Sequence, residues 1–122
     1  MEHLTYEQGQ GFLKECVRVL APGGIFSVCV PNARIYLEGY INGNFDMDKF
    51  ITYKPAFNNT TKIDIVNYHA HMNEEHKYMF DEENLVHRLE SVGLKNVHIR
   101  EFDPELDLES RDYESIYAQG TK

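Results

Sequence analysis

The chain has 122 residues, of which 42% are hydrophobic and 26% are charged, and its formal net charge is −8. This composition is typical of a folded globular chain, and the length predicts a single domain over residues 1–122. The acidic balance argues against nucleic acid and anionic membranes as partners, because binding to phosphate needs clustered Lys and Arg.

Cysteine usage and the distribution of apolar residues predict a compartment. Cys16 and Cys29 lie in apolar runs without metal-ligand spacing, so we expect both to be small buried residues in a reducing environment. The first residues lack the basic segment and apolar stretch of a secretory signal. No run approaches the ~20 apolar residues that a membrane helix needs. Together these features predict a cytoplasmic protein that does not enter a membrane.

The first third of the chain has the pattern of a helix, a strand and a second helix. Thr5 and Gln8 form a capping-box pattern, and Pro22-Gly23-Gly24 ends the helix that they begin. The run Ile25 to Val30 is nearly continuous apolar sequence, which is typical of a strand covered on both faces. Asn32 follows and is suited to cap a short helix.

The remainder of the chain begins without a clear pattern. Residues 42–75 show no clean period and carry several turn signals, which predicts an irregular insert or lid. Asp81 is suited to begin a helix that Gly93 ends. Val97 to Phe102 and Tyr113 to Ala118 then predict two more strands. The chain is therefore expected to be an α/β fold with three strands and two or three helices.

Four short motifs occur in a definite order along the chain. Glu2-His3-Leu4 precedes the first helix, Leu20 to Gly24 precedes the apolar strand, Tyr78 to Asp81 precedes the last helix, and Val92-Gly93-Leu94 ends it. In this order they resemble the C-terminal half of a class I, type 11-like S-adenosylmethionine-dependent methyltransferase. The resemblance covers the chain outside residues 42–75. It implies a partial Rossmann-like fold whose strands 5, 6 and 7 form a sheet in the order 5-7-6, with strand 7 reversed.

The same resemblance implies a reaction, but the chain departs from the family where the cofactor binds. The family transfers a methyl group from S-adenosylmethionine to a small-molecule acceptor, and strands 1 to 4 build its cofactor pocket. This sequence has no Gly-rich loop that follows a strand, since Gly9-Gln10-Gly11 lies within a predicted helix. We therefore expect no cofactor-binding residues, no bound cofactor and no activity from the chain alone. We expect it to be a truncated family member, one part of a split enzyme, or a non-enzymatic interaction module.

Five residues are candidates for a functional site. His3 corresponds to the family position after strand 4, near the methyl-transfer pocket, and is the catalytic candidate. Asn32 and Tyr36 follow the C-terminal end of the apolar strand, where ligands bind in open α/β sheets. His71 and His76 belong to a histidine-rich segment and are candidates on the substrate side. The spacing of these histidines matches no zinc pattern, so no metal site is expected.

The apolar strand also predicts assembly. Without strands 1 to 4, a sheet in the order 5-7-6 leaves Ile25 to Val30 as an edge strand with unpaired amides and no charged side chain. Such an edge favours association. We expect a homo-oligomer, most simply a two-fold dimer with the sheet order 6-7-5-5′-7′-6′.

Overall fold

A computed structural model describes residues 1–44 and 60–122, and over these ranges the chain is a mixed α/β fold. A three-stranded open sheet is combined with several helices. No helix within these ranges has the length and apolar character needed to cross a bilayer. The elements in chain order are α1 (Tyr6–Val19), β1 (Ile25–Pro31), α2 (Ala33–Asn42), α3 (Lys62–His71), α4 (Glu82–Glu90), β2 (Lys95–Arg100), a 3₁₀ helix (Glu109–Glu114) and β3 (Ser115–Thr121).

The sheet has the order β1-β3-β2, and β3 runs antiparallel to both of its neighbours. This is the predicted order 5-7-6 with a reversed last strand, so that part of the prediction is confirmed. The strand boundaries differ from those expected. Tyr113 belongs to the 3₁₀ helix, and β3 begins only at Ser115. β2 begins at Lys95, before the predicted start at Val97.

The core lies between one face of the sheet and the helices α1 and α4. Val28 and Val30 of β1 point toward this core, whereas Ile25 is 62% exposed and Cys29 is also exposed. The expectations that β1 is covered on both faces and that Cys29 is buried are therefore wrong. The reason is that α1 and α4 pack on the same side of the sheet. The largest fully buried side chains of the core are Leu13, Val30, Leu85 and Leu89.

A buried arginine fills the contact between α1 and α4. Arg88 is 2% exposed, and its guanidinium carbon lies 4.3 Å from the ring centre of Tyr6 and 5.0 Å from that of Tyr78. Its Nη2 donates to the Tyr6 carbonyl at 3.1 Å. A Cβ atom at Gly9 would lie 2.8 Å from the same nitrogen. The absence of a side chain at Gly9 therefore allows the guanidinium to lie against α1.

The prediction that residues 42–75 are irregular is wrong for part of that segment, because Lys62–His71 form a helix. Helix α3 falls inside residues 42–75, and its start is stabilised by Asp64, whose carboxylate accepts hydrogen bonds from the backbone N–H and the hydroxyl of Thr61 at 2.8 and 2.9 Å. A local capping interaction of this kind favours a helix despite the polar sequence around it. The rest of this prediction concerns residues 45–59, which lie outside the described residues.

Within the described residues, β1 is an edge of the sheet. The Asn32 N–H donates to the Glu114 carbonyl at 2.7 Å, and the Lys122 N–H donates to the Gly24 carbonyl at 3.0 Å. Because hydrogen-bonded pairs alternate along an antiparallel ladder, even-numbered residues of β1 pair with β3 and odd-numbered residues do not. The residues whose backbone groups point away from β3 are Ile25, Ser27 and Cys29.

Two glycines of α1 provide a test of the contact at Arg88. A Cβ atom added at Gly11 would meet no atom within 4 Å, so Gly11→Ala should stabilise the fold by up to ~1 kcal/mol through helix propensity. Gly9→Ala gains the same propensity but displaces a guanidinium that two rings and a carbonyl hold. We expect Gly9→Ala to be less stable than Gly11→Ala by ~1 kcal/mol or more in urea unfolding. Equal stability of the two variants would contradict this account of the α1–α4 contact.

Candidate functional site

A pocket of about 260 Å³ opens beside the C-terminal end of β1. Its walls come from the N-terminal segment, the end of β1, α2, α3, the turn after α3, the 3₁₀ helix and the start of β3. β1 and β2 are parallel to one another, because both are antiparallel to β3. The ends of such strands are where open α/β sheets bind ligands. The pocket lies at this end of β1.

The N-terminal segment is held at the pocket by backbone hydrogen bonds. The carbonyl of Glu2 accepts from the N–H groups of Lys77 and Tyr78 at 2.7 and 3.1 Å. This pairing places the next side chain, His3, at the pocket wall. The Nδ1 of His3 lies 3.2 Å from the carbonyl oxygen of Glu75. Since a carbonyl oxygen only accepts, Nδ1 carries the proton in this hydrogen bond.

A strained turn sets the direction of the opposite segment. Met72, Asn73 and Glu74 have φ angles of 36°, 57° and 71°, and this left-handed conformation costs about 1–2 kcal/mol for each residue with a side chain. The turn leads to His76, whose Nδ1 donates to the carbonyl of His69 at 2.6 Å. Strain of this kind concentrates at functional sites. Here it fixes the ring of a buried histidine against the end of α3.

An aromatic pair forms one wall of the pocket. The rings of Tyr36 from α2 and His69 from α3 are stacked, with centres 4.0 Å apart and planes inclined by 19°. Tyr68 and His69 follow Ile65 at positions i+3 and i+4, so all three lie on the buried face of α3. All four residues line the pocket. The wall is therefore flat and largely apolar, which suits a small apolar or planar ligand.

The electrostatic state of this wall follows from its burial. Burial lowers the pKa of His69 to about 4, and the nearby His76 acts in the same direction, whereas Glu2 acts in the opposite one. A neutral imidazole is favoured because the charged form would lose its hydration. At neutral pH the stacked wall of the pocket therefore carries no charge.

Two carboxylates complete the pocket. Glu114 is 5% exposed and accepts hydrogen bonds from the Tyr36 hydroxyl at 2.6 Å and from Nη1 of Arg111 at 2.8 Å. Burial raises the pKa of the Glu2 carboxyl, but hydrogen bonds from the Met1 amino group and from the backbone outweigh it, so its pKa lies below the usual value. Glu2 is thus ionised at neutral pH. The neutral stacked wall faces a pocket that also contains fixed negative charge.

Three of the five candidate residues from the sequence meet in this pocket. His3 comes from the N-terminal segment, Tyr36 from α2 and His76 from the turn after α3. The ring centres of His3 and His76 lie 5.0 Å apart in an edge-to-face arrangement. The fold therefore brings together residues that are widely separated in sequence.

The other two candidates do not line the pocket. Asn32 is 6% exposed, accepts from the Arg34 N–H at 3.0 Å and donates to Glu82 at 2.7 Å. These bonds cap α2 and join it to α4, so Asn32 has a structural role. His71 is exposed at the last residue of α3, away from the face that carries His69.

The pocket also contains residues that are not among the candidates from the sequence, and His69 and Glu114 are two of them. His69 belongs to the histidine-rich segment, and its spacing from Ile65 and Tyr68 becomes informative once that segment is known to be a helix. Glu114 lies in the acidic segment before β3, where the sequence gives no sign that one carboxylate is buried. Its position depends on the 3₁₀ helix, which the sequence does not predict.

The lowered pKa of His69 predicts a loss of stability in acid. The folded protein takes up a proton at His69 near pH 4, whereas an unfolded histidine does so near pH 6.5. The contribution of neutral, buried His69 to the free energy of unfolding is therefore complete above pH 6.5. It is lost as the pH falls to about 4, which lowers the free energy of unfolding by ~3 kcal/mol in total. Urea unfolding in the presence of EDTA, measured between pH 7.5 and about 4.5, should record this decline.

A matched pair of variants tests whether His69 causes this loss of stability in acid. His69→Phe keeps a ring against Tyr36 and should flatten the decline with pH, whereas His87→Phe removes an exposed histidine of α4 and should not. If both variants keep the full pH dependence, His69 is not its source.

Comparisons with family models, curated protein sequences and solved structures gave no match for this chain. Its function therefore has to be inferred from its own residues, from the order of its strands and from the geometry of the pocket.

Proposed function

We propose that this chain forms the acceptor-binding side of a class I S-adenosylmethionine-dependent methyltransferase with a Rossmann-like fold. The donor-binding side, which contains the Gly-rich loop and the acidic ribose partner, is supplied by another segment or another chain. On this proposal the 122 residues bind a small-molecule methyl acceptor and do not bind S-adenosylmethionine tightly by themselves.

The observation that carries the proposal is the position of the pocket relative to His3 and the sheet. The resemblance implies a sheet in the order 5-7-6, a ligand beyond the C-terminal end of strand 5, and a histidine after strand 4 at the methyl-transfer pocket. The order β1-β3-β2, a pocket at the end of β1 and the presence of His3 in its wall all support this. The strand order and the position of the pocket are independent of the four sequence motifs that carry the resemblance, whereas His3 belongs to the first of them.

The pocket has the properties that acceptor binding needs. Methyl transfer depends chiefly on holding the nucleophile in line with the donor, and rigid walls provide this. The stacked pair of Tyr36 and His69 offers a flat surface, and the hydrogen bond from Tyr36 to Glu114 fixes its position. His69 stays neutral at physiological pH and adds no charge that would repel the sulfonium of the donor.

Calorimetric titration tests whether S-adenosylmethionine binding requires the donor-binding side. We expect no dissociation constant in the micromolar range for S-adenosylmethionine with the chain alone, because the residues that would hold its ribose are missing. Joining the chain to the segment encoded directly upstream of Met1 should create that affinity. It should also create transfer of tritiated methyl groups to acceptors in a small-molecule extract.

Two tyrosines of α2 provide the control in the joined protein. Tyr36→Phe should reduce methyl transfer without changing the affinity for S-adenosylmethionine, and Tyr40→Phe, at a position 45% exposed on the same helix, should change neither. Micromolar binding by the chain alone would contradict the proposal. So would an upstream segment that encodes no strand followed by a Gly-rich loop.

Over residues 1–44 and 60–122, β1 is an edge strand, and this edge supports a second proposal, that of an interaction module. In the complete methyltransferase, this edge would pair with strand 4 of the donor-binding side. In the isolated chain we propose that it pairs antiparallel with a second copy, which gives the two-fold sheet 6-7-5-5′-7′-6′. The outward-facing backbone groups of Ile25, Ser27 and Cys29 are the groups that such a pairing would satisfy.

Ser27 allows a backbone test that leaves the core intact. Val28 packs against the core, so a charge at that position would also destabilise the monomer. Ser27→Pro removes an outward N–H and leaves the ladder with β3 in place, as proline does on natural edge strands. We expect this variant to be monomeric by light scattering at concentrations where the parent chain is dimeric.

Ser27→Ala is the matched control for this substitution. It loses the hydrogen bond from Nε of Arg100 to the Ser27 hydroxyl, as Ser27→Pro also does, but it keeps the backbone N–H. It should therefore remain dimeric. A parent chain that stays monomeric at high concentration, or a Ser27→Pro variant that still dimerises, would rule out pairing through this edge.

A further inference from the structure

A cluster of metal-binding groups lies at the pocket wall, although the sequence spacing gave no reason to expect one. Glu2, His3 and His76 each offer a ligand atom, and these atoms all lie within 4.8 Å of one another. Two of the residues come from the N-terminal segment and the third lies beyond α3. The hydrogen bonds from Lys77 and Tyr78 to the Glu2 carbonyl hold the two segments together.

Both histidines are oriented in the way that metal ligands are. Nδ1 of His3 faces the carbonyl of Glu75 at 3.2 Å, and Nδ1 of His76 faces the carbonyl of His69 at 2.6 Å. Each Nδ1 therefore carries the hydrogen, and each neutral ring has its lone pair on Nε2. In histidines that bind metals, the N–H of the other ring nitrogen usually donates a hydrogen bond to a carbonyl or a carboxylate. This hydrogen bond fixes the tautomer and the direction of the ring.

A cation would stabilise the contact between His3 and Glu2. Nε2 of His3 lies 3.4 Å from Oε1 of Glu2, and in the neutral tautomer both atoms are acceptors that repel each other. A proton or a metal ion between them removes the repulsion. In a tetrahedral zinc site with bonds of ~2.0–2.1 Å, neighbouring ligand atoms are ~3.3 Å apart, which is close to the observed separation. The other carboxylate oxygen of Glu2 accepts from the Met1 amino group at 2.8 Å, so Oε1 is the oxygen that faces the site.

We propose that Glu2, His3 and His76 bind a divalent transition-metal ion, with Zn²⁺ as the ion that fits best. Two imidazole nitrogens and one carboxylate oxygen form a ligand set that zinc uses in sites with an open fourth position. All three residues line the pocket. The open position therefore belongs to the pocket, and a ligand oxygen or a water molecule would complete the coordination.

The site does not depend on the methyl-transfer proposal, and its test uses no S-adenosylmethionine. The chain, prepared without a histidine tag and stripped with EDTA, is titrated calorimetrically with ZnCl₂. We expect one Zn²⁺ per chain. Glu2→Gln and His3→Gln should each weaken binding at least ~10-fold, since even residues that only orient ligands have effects of this size.

His71→Gln is the matched control, because it removes an exposed histidine from the same histidine-rich segment and should leave the affinity unchanged. Glu2 and His3 are preferred to His76 as test positions, since His76 is 5% exposed and its replacement can disturb folding. A Co²⁺ titration gives a second measure: the visible absorption of a low-coordinate site should appear in the parent chain and be lost in both variants. The proposal is overturned if no stoichiometric binding occurs, or if His71→Gln weakens zinc as much as His3→Gln does.

Discussion

The pairing of the Glu2 carbonyl with two amides, those of Lys77 and Tyr78, is the constraint on which the candidate site depends. It joins the start of the chain to the segment that follows α3, and neither segment has a helix or strand of its own to hold it. Without this contact, His3 would not be held beside His76, and His76 would keep only its contacts with His69. The pocket is therefore a product of tertiary structure, and its two sides form together.

Different kinds of interaction hold the two sides of the pocket. The wall made by Tyr36 and His69 depends on ring stacking and on the exclusion of water, which keeps the imidazole neutral. The side made by Glu2 and His3 is charged and more exposed, and it is positioned through backbone carbonyls. A pocket of this kind can hold a flat ligand against one wall while its polar end contacts the other.

Much of the framework followed from the sequence, because it depends on local signals. Local signals predicted the helices and strands, and they include the capping box at Thr5, the turn at Gly23 and Gly24, and the apolar runs. The resemblance predicted the order of the strands in the sheet. The site was less predictable for a physical reason. His69 belongs to a helix that the sequence did not predict, because the residues around it are polar. The grouping of His3 with His76 requires contacts between distant parts of the chain.

The left-handed turn at residues 72–74 has a consequence for protein engineering. It separates α3, which carries His69, from the segment that carries His76, and it achieves this without a glycine. Glu74 is exposed there with φ of 71°, and its side chain does not line the pocket. Glycine at this position would remove the steric cost of the backbone conformation, about 1–2 kcal/mol, against an entropic cost of about 0.5–1 kcal/mol. The framework of the pocket can thus be made more stable while every side chain that a ligand would meet is left unchanged.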